Sequence, residues 1–307
     1  MKPKATLSVL LAGLLAAAAL VSTEPAQAQE QQAPTALTGT LAKARETGAI
    51  TIGYRESSVP FSYLNARKEP IGYSIELCRA LVTAIEDAVN KSLTIKWAPV
   101  TSDSRIDAVA SGKVDLECCS TTNNLERQKR VSFSPTMFVS GTKVLVKKGS
   151  PIKSFRDLAG KKVAVTAGTT NEKTLRDLSE KFKLGINLQV MRDHAESFGL
   201  VKSGQADAFA TDDVLLYGLI AQDAAKADYE VVGDFLSYDP YGIMYRKGDA
   251  QLAKVINDTF QVLAEDGEIH RQYKRWFLRK LPSGESINLP MSAQLETIIQ
   301  TMSVKAE

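Results

Sequence analysis

The sequence predicts an α/β protein of two similar lobes with a ligand-binding cleft between them. Short apolar runs alternate with helical patterns along most of the chain, as is typical of largely parallel sheets. In addition, the segment SGKVDLECCS (111–120) is echoed by SGQADAFATD (203–212), and each copy follows a helical stretch. Ligands bind outside the carboxyl ends of strands in such sheets, so two facing lobes predict a small-ligand site between them.

The first 28 residues have the pattern of an export signal. A short basic start (1–4) precedes an apolar run (5–21), and Ala-Gln-Ala at 26–28 matches the small-x-small cleavage pattern. We expect cleavage after Ala28 and a periplasmic location; the alternative is an uncleaved anchor. No later run of about 20 apolar residues follows, so the mature chain is expected to be soluble.

Composition excludes several classes of function. The net charge of +3 is too small to indicate a nucleic-acid partner. The chain has two histidines without metal-ligand spacing, so neither a metal nor another cofactor is expected. Export permits disulfides, but the neighbouring Cys118 and Cys119 would pair poorly with each other, and Cys78 lies on the apolar face of a predicted helix. We therefore expect three buried free thiols.

The pattern of apolar residues places the elements in order. A polar, Gln-rich leader (29–44) is expected to be flexible. Strands are predicted within 49–54, 93–100, 114–119, 143–148, 161–167, 186–191, 207–211, 229–234 and 241–247. Helices are predicted within 74–90, 104–111, 171–182, 195–203, 213–225 and 250–278. In the last of these, aromatic residues at helical spacing (273, 276 and 277) predict core packing with a solvated basic face rather than a nucleic-acid or membrane contact.

The densest polar motif is STTNNLERQKRVSFS (120–134). Ser120 and Thr122 offer hydroxyls, and Arg127 offers a planar fork of donors, a combination that suits a carboxylate. The alternative is a helix-capping cluster with a solvated arginine. A second donor cluster, TAGTTNE (166–172), opens a helix, where Thr170 could hold an anionic group or belong to a simple cap.

Other charged residues stand at predicted strand or helix ends. Asp212 occupies the position equivalent to Ser120 in the echo and could bind an ammonium, or cap the next helix. Arg105, with Ser102 nearby, opens a helix where a cation is unfavourable for the dipole, which suggests another role. Arg55 ends an apolar strand, and His194 follows another; a lone histidine is also compatible with a structural role.

Taken together, these motifs resemble the periplasmic solute-binding proteins of polar amino acid ABC transporters, especially the glutamate/aspartate-binding members. The resembling stretches, from about 45 to 280, include GYRESSVPFSY, TSDSRIDAV, ECCSTTNNLERQKRVSFSP, VAVTAGTT, RDHAESF and SGQADAFATDD. Cys119, where close relatives often have glycine, and Ala167 depart from the pattern. The resemblance implies a type II periplasmic-binding-protein fold, with two α/β lobes joined by paired hinge strands that close over one amino acid.

The resemblance also implies domain boundaries and site roles. Lobe 1 would comprise 45–138 and 242–281, lobe 2 would comprise 139–241 with hinges near 138–143 and 234–242, and 282–307 would be a C-terminal extension. Arg127, Ser120, Thr122 and Thr170 would hold the α-carboxylate; Asp212 would bind the α-ammonium; and Arg55, Ser102, Arg105 and His194 would hold the side-chain carboxylate. Either glutamate or aspartate would fit this set.

The function expected is therefore periplasmic capture of an acidic L-amino acid by a monomer, without catalysis, for delivery to an ABC transporter permease. The alternative is an enzyme on the same scaffold, such as a cyclohexadienyl dehydratase-like lyase, for which the lone Glu117 is the candidate catalytic group. A receptor sensor domain is disfavoured because no membrane-spanning pattern follows residue 280.

Overall fold

The computed structural model describes residues 36–304. The predicted signal peptide and residues 29–35 of the predicted leader lie outside the described residues. The described residues form ten α-helices: α1 (Gly39–Thr47), α2 (Tyr73–Val89), α3 (Arg105–Ala110), α4 (Leu125–Gln128), α5 (Thr170–Lys181), α6 (His194–Lys202), α7 (Asp213–Gln222), α8 (Ala250–Glu265), α9 (Glu268–Tyr273) and α10 (Ala293–Met302). Short 3₁₀ turns at Phe155–Leu158 and Lys226–Asp228 and a π-helical turn at Lys274–Leu278 complete the helical structure of this range.

The same range contains fifteen strands. They are β1 (Ala49–Tyr54), β2 (Ser57–Ser58), β3 (Ser62–Leu64), β4 (Pro70–Ile71), β5 (Thr94–Pro99), β6 (Leu116–Glu117), β7 (Val131–Phe133), β8 (Phe138–Ser140), β9 (Thr142–Lys147), β10 (Lys162–Thr166), β11 (Asn187–Met191), β12 (Ala208–Asp212), β13 (Tyr229–Val232), β14 (Asp239–Tyr241) and β15 (Met244–Arg246). Each predicted strand and helix is represented, with ends that shift by a few residues, except that the predicted helix 250–278 is divided.

Two five-stranded sheets share one topology. Their orders are β5-β1-β6-β15-β7 and β11-β10-β12-β9-β13. In each sheet the first three strands run parallel and the fourth runs antiparallel to the third. We call the part built on the first sheet lobe 1 and the part built on the second lobe 2. Because the topologies match, equivalent strands of the two lobes have their carboxyl ends at equivalent edges.

The two copies of the sequence echo form the same hydrogen bonds in the two lobes. In lobe 1, the backbone N–H of Thr51 in β1 donates to Asp115 Oδ2 at 2.9 Å, just before β6 begins. In lobe 2, the N–H of Lys162 in β10 donates to Asp207 Oδ2 at 2.8 Å, just before β12 begins. Each aspartate also donates its own N–H to the carbonyl of the same partner residue. The shared aspartate therefore aligns equivalent strand pairs in both lobes.

Two strands connect the lobes. β8 leads from lobe 1 into lobe 2, and β14 leads back; they pair antiparallel, with Ser140 opposite Asp239 and Phe138 opposite Tyr241. Phe138 and Tyr241 are 2% and 0% exposed and pack against Phe61, which is fully buried in lobe 1. Since burying one aromatic side chain contributes roughly 1.5–3 kcal/mol, these contacts fasten the connecting strands to the lobe 1 core.

The C-terminal helical region differs from the single predicted helix. α8 ends at Glu265, and Gly267 adopts a left-handed conformation (φ +69°) before α9 begins. The predicted burial of Tyr273, Trp276 and Phe277 is confirmed. Residues 282–304 add a further helix, α10, whose Leu295 and Ile299 join the lobe 1 core.

The predicted flexible leader is not flexible coil throughout. Residues 39–44 belong to α1, where Leu41 and Ala44 are buried in the lobe 1 core. The backbone N–H of Thr40 donates to Asp249 Oδ2 at 2.7 Å. This helix carries few apolar residues, so tertiary contacts rather than local propensity stabilise it, and the sequence pattern did not reveal it.

The prediction of three free thiols was wrong. Cys78 on α2 forms a disulfide with Cys118, which follows β6, with their Cα atoms 6.2 Å apart. Cys119 is the free cysteine and is fully buried. The packing of α2 on the sheet brings together two cysteines 40 residues apart in sequence, a proximity that spacing alone does not reveal.

Two negative findings apply to residues 36–304. No helix in this range has the length and apolar character needed to cross a bilayer. Nor does this range contain a group of three or more His, Cys, Asp or Glu side chains arranged to hold a metal ion.

Candidate functional site

Polar side chains from both lobes converge on one small cavity. In lobe 1 they follow the carboxyl ends of β5 and β6, and in lobe 2 they follow or end β10, β11 and β12. The cavity has a volume of about 10 Å³. It is lined by Ser102, Arg105, Ser120, Thr122, Thr169, Thr170, Asn171, His194, Asp212 and Leu215. Seven of the nine predicted site residues therefore line it, and the other two, Arg55 and Arg127, contact its walls.

Arg55 is buried beside this cavity at the end of β1. Its side chain is 1% exposed, and its Nη1 donates to Ser102 Oγ. Its Nη2 is also buried and finds no hydrogen-bond partner among residues 36–304. Burial, with a further contribution from the charge of Arg105, lowers the pKa of Arg55 to about 10. The guanidinium is therefore a desolvated cation with unused donor capacity.

Arg105 begins α3 and turns toward the end of β6. Its Nη1 donates to Thr121 Oγ1 at 2.8 Å and approaches the carbonyl of Ser120 at 3.4 Å. Its Nε is buried without a hydrogen-bond partner in the described part of the chain. The side chain is 3% exposed. The cation is therefore unfavourable for the helix dipole and is also buried in the cavity wall.

Arg127 links the two lobes. Its Nη1 donates to the carbonyl of Thr122 at 2.9 Å, and its Nη2 donates to the carbonyl of Gly168 in lobe 2 at 3.3 Å. Burial lowers the pKa of Arg127 to about 9, and the charge of Arg105 adds to this. The alternative of a solvated arginine is therefore wrong for this residue.

Of the predicted ligand hydroxyls, some form hydrogen bonds within the described residues and one does not. Ser120 Oγ is buried and has no hydrogen-bond partner within 36–304. Thr122 Oγ1 donates to Asp239 Oδ1 at 3.0 Å and lies 3.3 Å from Thr170 Oγ1 across the cleft. The capping alternative applies to neighbouring residues instead: Asn124 caps α4, and Thr169 caps α5. The predicted ligand hydroxyls thus remain near the cavity.

Asp212 ends β12 as a buried carboxylate. Asn171 Nδ2 donates to its Oδ1 at 2.7 Å, and the hydroxyl of Tyr241 donates to its Oδ2. Burial, followed by the negative charge of Asp239, raises the pKa of Asp212 to about 8. Asp213, rather than Asp212, accepts the N–H of Val214 at the start of α7, so the local hydrogen bond belongs to the neighbouring aspartate.

His194 is the first residue of α6 and is 2% exposed. Its Nδ1 lies 2.9 Å from Thr166 Oγ1, at the end of β10. Burial, together with the charges of Arg55 and Arg105, lowers the pKa of His194 well below its usual value. The ring is therefore neutral at neutral pH, and it can offer one N–H to an anion only in the appropriate tautomer.

Sequence reasoning missed several partners of these residues. Asn171 and Tyr241 hold Asp212, and Thr166 positions His194. Asn171 stands inside the TAGTTNE motif, which was a usable signal. Tyr241 lies on the connecting strand β14, 29 residues after Asp212, and only the pairing of β14 with β8 brings it to the site.

Glu117, the candidate catalytic group of the alternative hypothesis, is fully buried at the end of β6. Both of its oxygens accept from Thr121 Oγ1, at 2.9 and 2.7 Å. It lies behind the cavity wall rather than on its surface, an arrangement that does not suit a general acid or base, which must reach the proton that it transfers.

Comparison with known proteins agrees with this geometry. The chain matches the bacterial extracellular solute-binding proteins, family 3, over residues 50–279. An L-glutamate/L-aspartate-binding protein of Pseudomonas aeruginosa is 45% identical over 273 residues, which is 88% of this chain and 90% of the relative. A glutamate/aspartate import solute-binding protein of Escherichia coli K12 is 40% identical over 281 residues, 91% of this chain and 93% of the relative.

Solved structures show the same architecture. The crystal structure of an ancestral amino acid-binding protein, described as a precursor of cyclohexadienyl dehydratase, is 32% identical, with a TM-score of 0.67 over 78% of this chain and 99% of that one. The predicted two-lobed type II fold is confirmed. Three curated relatives that are 40–45% identical to this chain are named as binding proteins, which confirms the expectation of a non-enzyme. The chain belongs to the bacterial extracellular solute-binding proteins of family 3.

Proposed function

We propose that this chain captures an acidic L-amino acid, glutamate or aspartate, in the periplasm and delivers it to the permease of an ABC transporter. The names of the relatives from Pseudomonas and Escherichia support this ligand class. The observation that carries the proposal is the pair of buried guanidiniums, Arg55 and Arg105, each with an N–H that no residue of 36–304 accepts.

A dicarboxylate fits these donors better than a neutral ligand does. An unpaired buried charge destabilises a protein by several kcal/mol, and a carboxylate accepts two parallel N–H bonds from one guanidinium. A neutral amide such as glutamine would leave much of the charge of Arg55 and Arg105 uncompensated. Charge-assisted hydrogen bonds contribute about 1.5–3 kcal/mol each, enough in combination for micromolar or tighter binding.

The proposed roles follow the charges at the site. Arg127 with three hydroxyls would bind the α-carboxylate, Asp212 would bind the α-ammonium, and the remaining donors would bind the side-chain carboxylate. The hydroxyls are those of Ser120, Thr122 and Thr170, and the remaining donors are Arg55, Ser102, Arg105 and His194. Asp212 is supported in its role by its fixed orientation, because Asn171 and Tyr241 hold its two oxygens.

Capture would require the lobes to separate. A cavity of about 10 Å³ holds about one water molecule, far less than an amino acid. A Cβ on Gly168 of lobe 2 would lie 2.6 Å from Asp103 Cα of lobe 1, so the lobes meet there at backbone distance. A ligand that contacts both lobes would favour a closed state, which the permease could recognise.

The paired strands β8 and β14 are the proposed hinge, within 138–143 and 234–242. Lobe 1 would then comprise 45–138 and 242–281, with α1 and α10 packed on its core, and lobe 2 would comprise 139–241. The remaining elements of the proposal are cleavage of the export signal after Ala28 and action as a monomer without a nucleic-acid partner.

The test is isothermal titration calorimetry of the purified mature chain with L-glutamate, L-aspartate, L-glutamine and L-arginine. We expect a single site with micromolar or tighter affinity for glutamate, aspartate or both, and at least about 100-fold weaker binding of the neutral and basic ligands. Light scattering of the same sample measures its mass. Equal or tighter binding of glutamine would refute an acidic ligand class.

A further inference from the structure

A buried carboxylate contacts the cavity wall from behind. Glu117, the last residue of β6, is 0% exposed and accepts the hydroxyl of Thr121 on both oxygens. The same hydroxyl accepts from Arg105 Nη1 at 2.8 Å, and Arg105 Nη1 lies 3.9 Å from Glu117 Oε1. The three side chains therefore form one chain in which Arg105 donates to Thr121 and Thr121 donates to Glu117.

These hydrogen bonds leave two N–H groups of the Arg105 guanidinium in different environments. Its Nη1 donates to Thr121 Oγ1, which in turn donates to Glu117, whereas its Nε is buried without a partner in the described residues. A ligand carboxylate that binds Arg105 would thus share the guanidinium with Glu117. Burial lowers the pKa of Arg55 and of Arg127, and the negative charge of Glu117 opposes this in both, so its field reaches all three arginines.

We propose that Glu117 is a specificity-determining positioning residue. Its carboxylate holds Arg105 through Thr121 and limits the affinity of the site for the side-chain carboxylate of the ligand. This inference rests on the proposed acidic-ligand function. Without ligand, Glu117 compensates part of the positive charge of the buried arginines. With ligand, it repels the incoming carboxylate and competes for Arg105. A neutral side chain is not repelled in this way, so Glu117 affects the ratio of glutamate to glutamine affinity.

The test is Glu117→Gln, which retains an oxygen acceptor for Thr121 and removes the charge. We expect the melting temperature of the unliganded protein to fall, while the calorimetric ratio of L-glutamate to L-glutamine affinity rises about tenfold. A merely structural role would lower stability without raising this ratio. In an Arg105→Met background, the same substitution should raise the ratio by less than it does in the wild type, because competition for Arg105 is then removed and only the direct repulsion remains.

Asp115→Asn is the matched control. Asp115 is also buried and ion-paired, with Lys43 at 2.8 Å, but it precedes β6 and does not line the cavity. We expect this variant to lower the melting temperature with no change in the affinity ratio. Thr121→Val provides a second route, because it breaks the bridge without removing a charge; the ratio should rise about threefold.

The outcomes separate the two proposals. A wild-type protein that binds neither glutamate nor aspartate would refute the proposed function itself. A wild-type protein that binds glutamate, with an unchanged or lower affinity ratio in Glu117→Gln or in Thr121→Val, would refute only the role of Glu117. A ratio that rises equally in Asp115→Asn would also refute it, because the effect would then be one of general destabilisation.

Discussion

Replacing Arg55 by methionine should weaken ligand binding and raise the free energy of unfolding. Arg55 is 1% exposed, and its Nη2 has no hydrogen-bond partner within residues 36–304. Methionine fills a similar volume with an apolar, adaptable chain, so the substitution removes the charge without leaving a large cavity. The same change removes the guanidinium proposed to hold the side-chain carboxylate of the ligand.

The structure suggests the size of both effects. Burial lowers the pKa of Arg55 to about 10, well below its ordinary value, and at about 1.4 kcal/mol per pKa unit the charged form is destabilised by roughly 3 kcal/mol in the native state. Arg55→Met should therefore raise the free energy of unfolding of the unliganded protein, by about 1–3 kcal/mol. Losing two charge-assisted hydrogen bonds should weaken glutamate binding by about 3 kcal/mol, or roughly 150-fold.

Urea unfolding without ligand measures the stability, and calorimetric titration measures the glutamate and glutamine affinities. Arg79→Met is the matched control, because Arg79 is exposed on α2 and stacks 5.3 Å from the Trp97 ring centroid, away from the site. This control should leave both affinities unchanged. Glutamate affinity in Arg55→Met within about threefold of wild type would refute the assigned role of Arg55.

Three further predictions concern titration and cysteine chemistry. Burial and the charge of Asp239 raise the pKa of Asp212 to about 8, and a ligand ammonium requires the ionised carboxylate, so the glutamate Kd should fall roughly tenfold per pH unit from about pH 6 to pH 8. Titrations in buffers of different ionisation enthalpy should show proton release near neutral pH, and a Kd independent of pH would contradict this. Reducing the Cys78–Cys118 disulfide opens a 40-residue loop and should lower the free energy of unfolding by about 4 kcal/mol in urea titrations, whereas an unchanged midpoint would argue against the bond. Burial raises the pKa of the Cys119 thiol well above its usual value, so a thiol-reactive dye should label it only after unfolding, and rapid labelling of the native protein would be inconsistent with this burial.

Local patterns carried most of the correct predictions. Strand and helix positions followed from apolar periodicity, because the alternation of short strands with amphipathic helices is itself imposed by burial against a parallel sheet. The echo at 111–120 and 203–212 predicted two equivalent strand ends, and Asp115 and Asp207 do form equivalent hydrogen bonds there. Polar residues at predicted strand ends therefore indicated which side chains would line the cavity.

Long-range proximity accounts for what sequence reasoning missed. The disulfide, the burial of α1 against α8 and the position of Tyr241 all depend on segments that pack together although they are distant along the chain. Capping was also resolved only by geometry, because neighbouring residues such as Thr169 and Thr170 have the same donors and differ only in backbone position.

The sequence by itself determined the two-lobed α/β class and the types of side chain available to a ligand, because periodicity and charge are properties of the linear chain. Only the tertiary structure decided which of those charges are compensated. Each arginine has one buried N–H without a partner within 36–304, but Arg105 is bridged to the carboxylate of Glu117 through Thr121, whereas the Arg55 guanidinium donates only to the neutral hydroxyl of Ser102. That difference depends on the tertiary structure, because Glu117 at the end of β6 and Arg105 at the start of α3 meet only through the hydroxyl of Thr121.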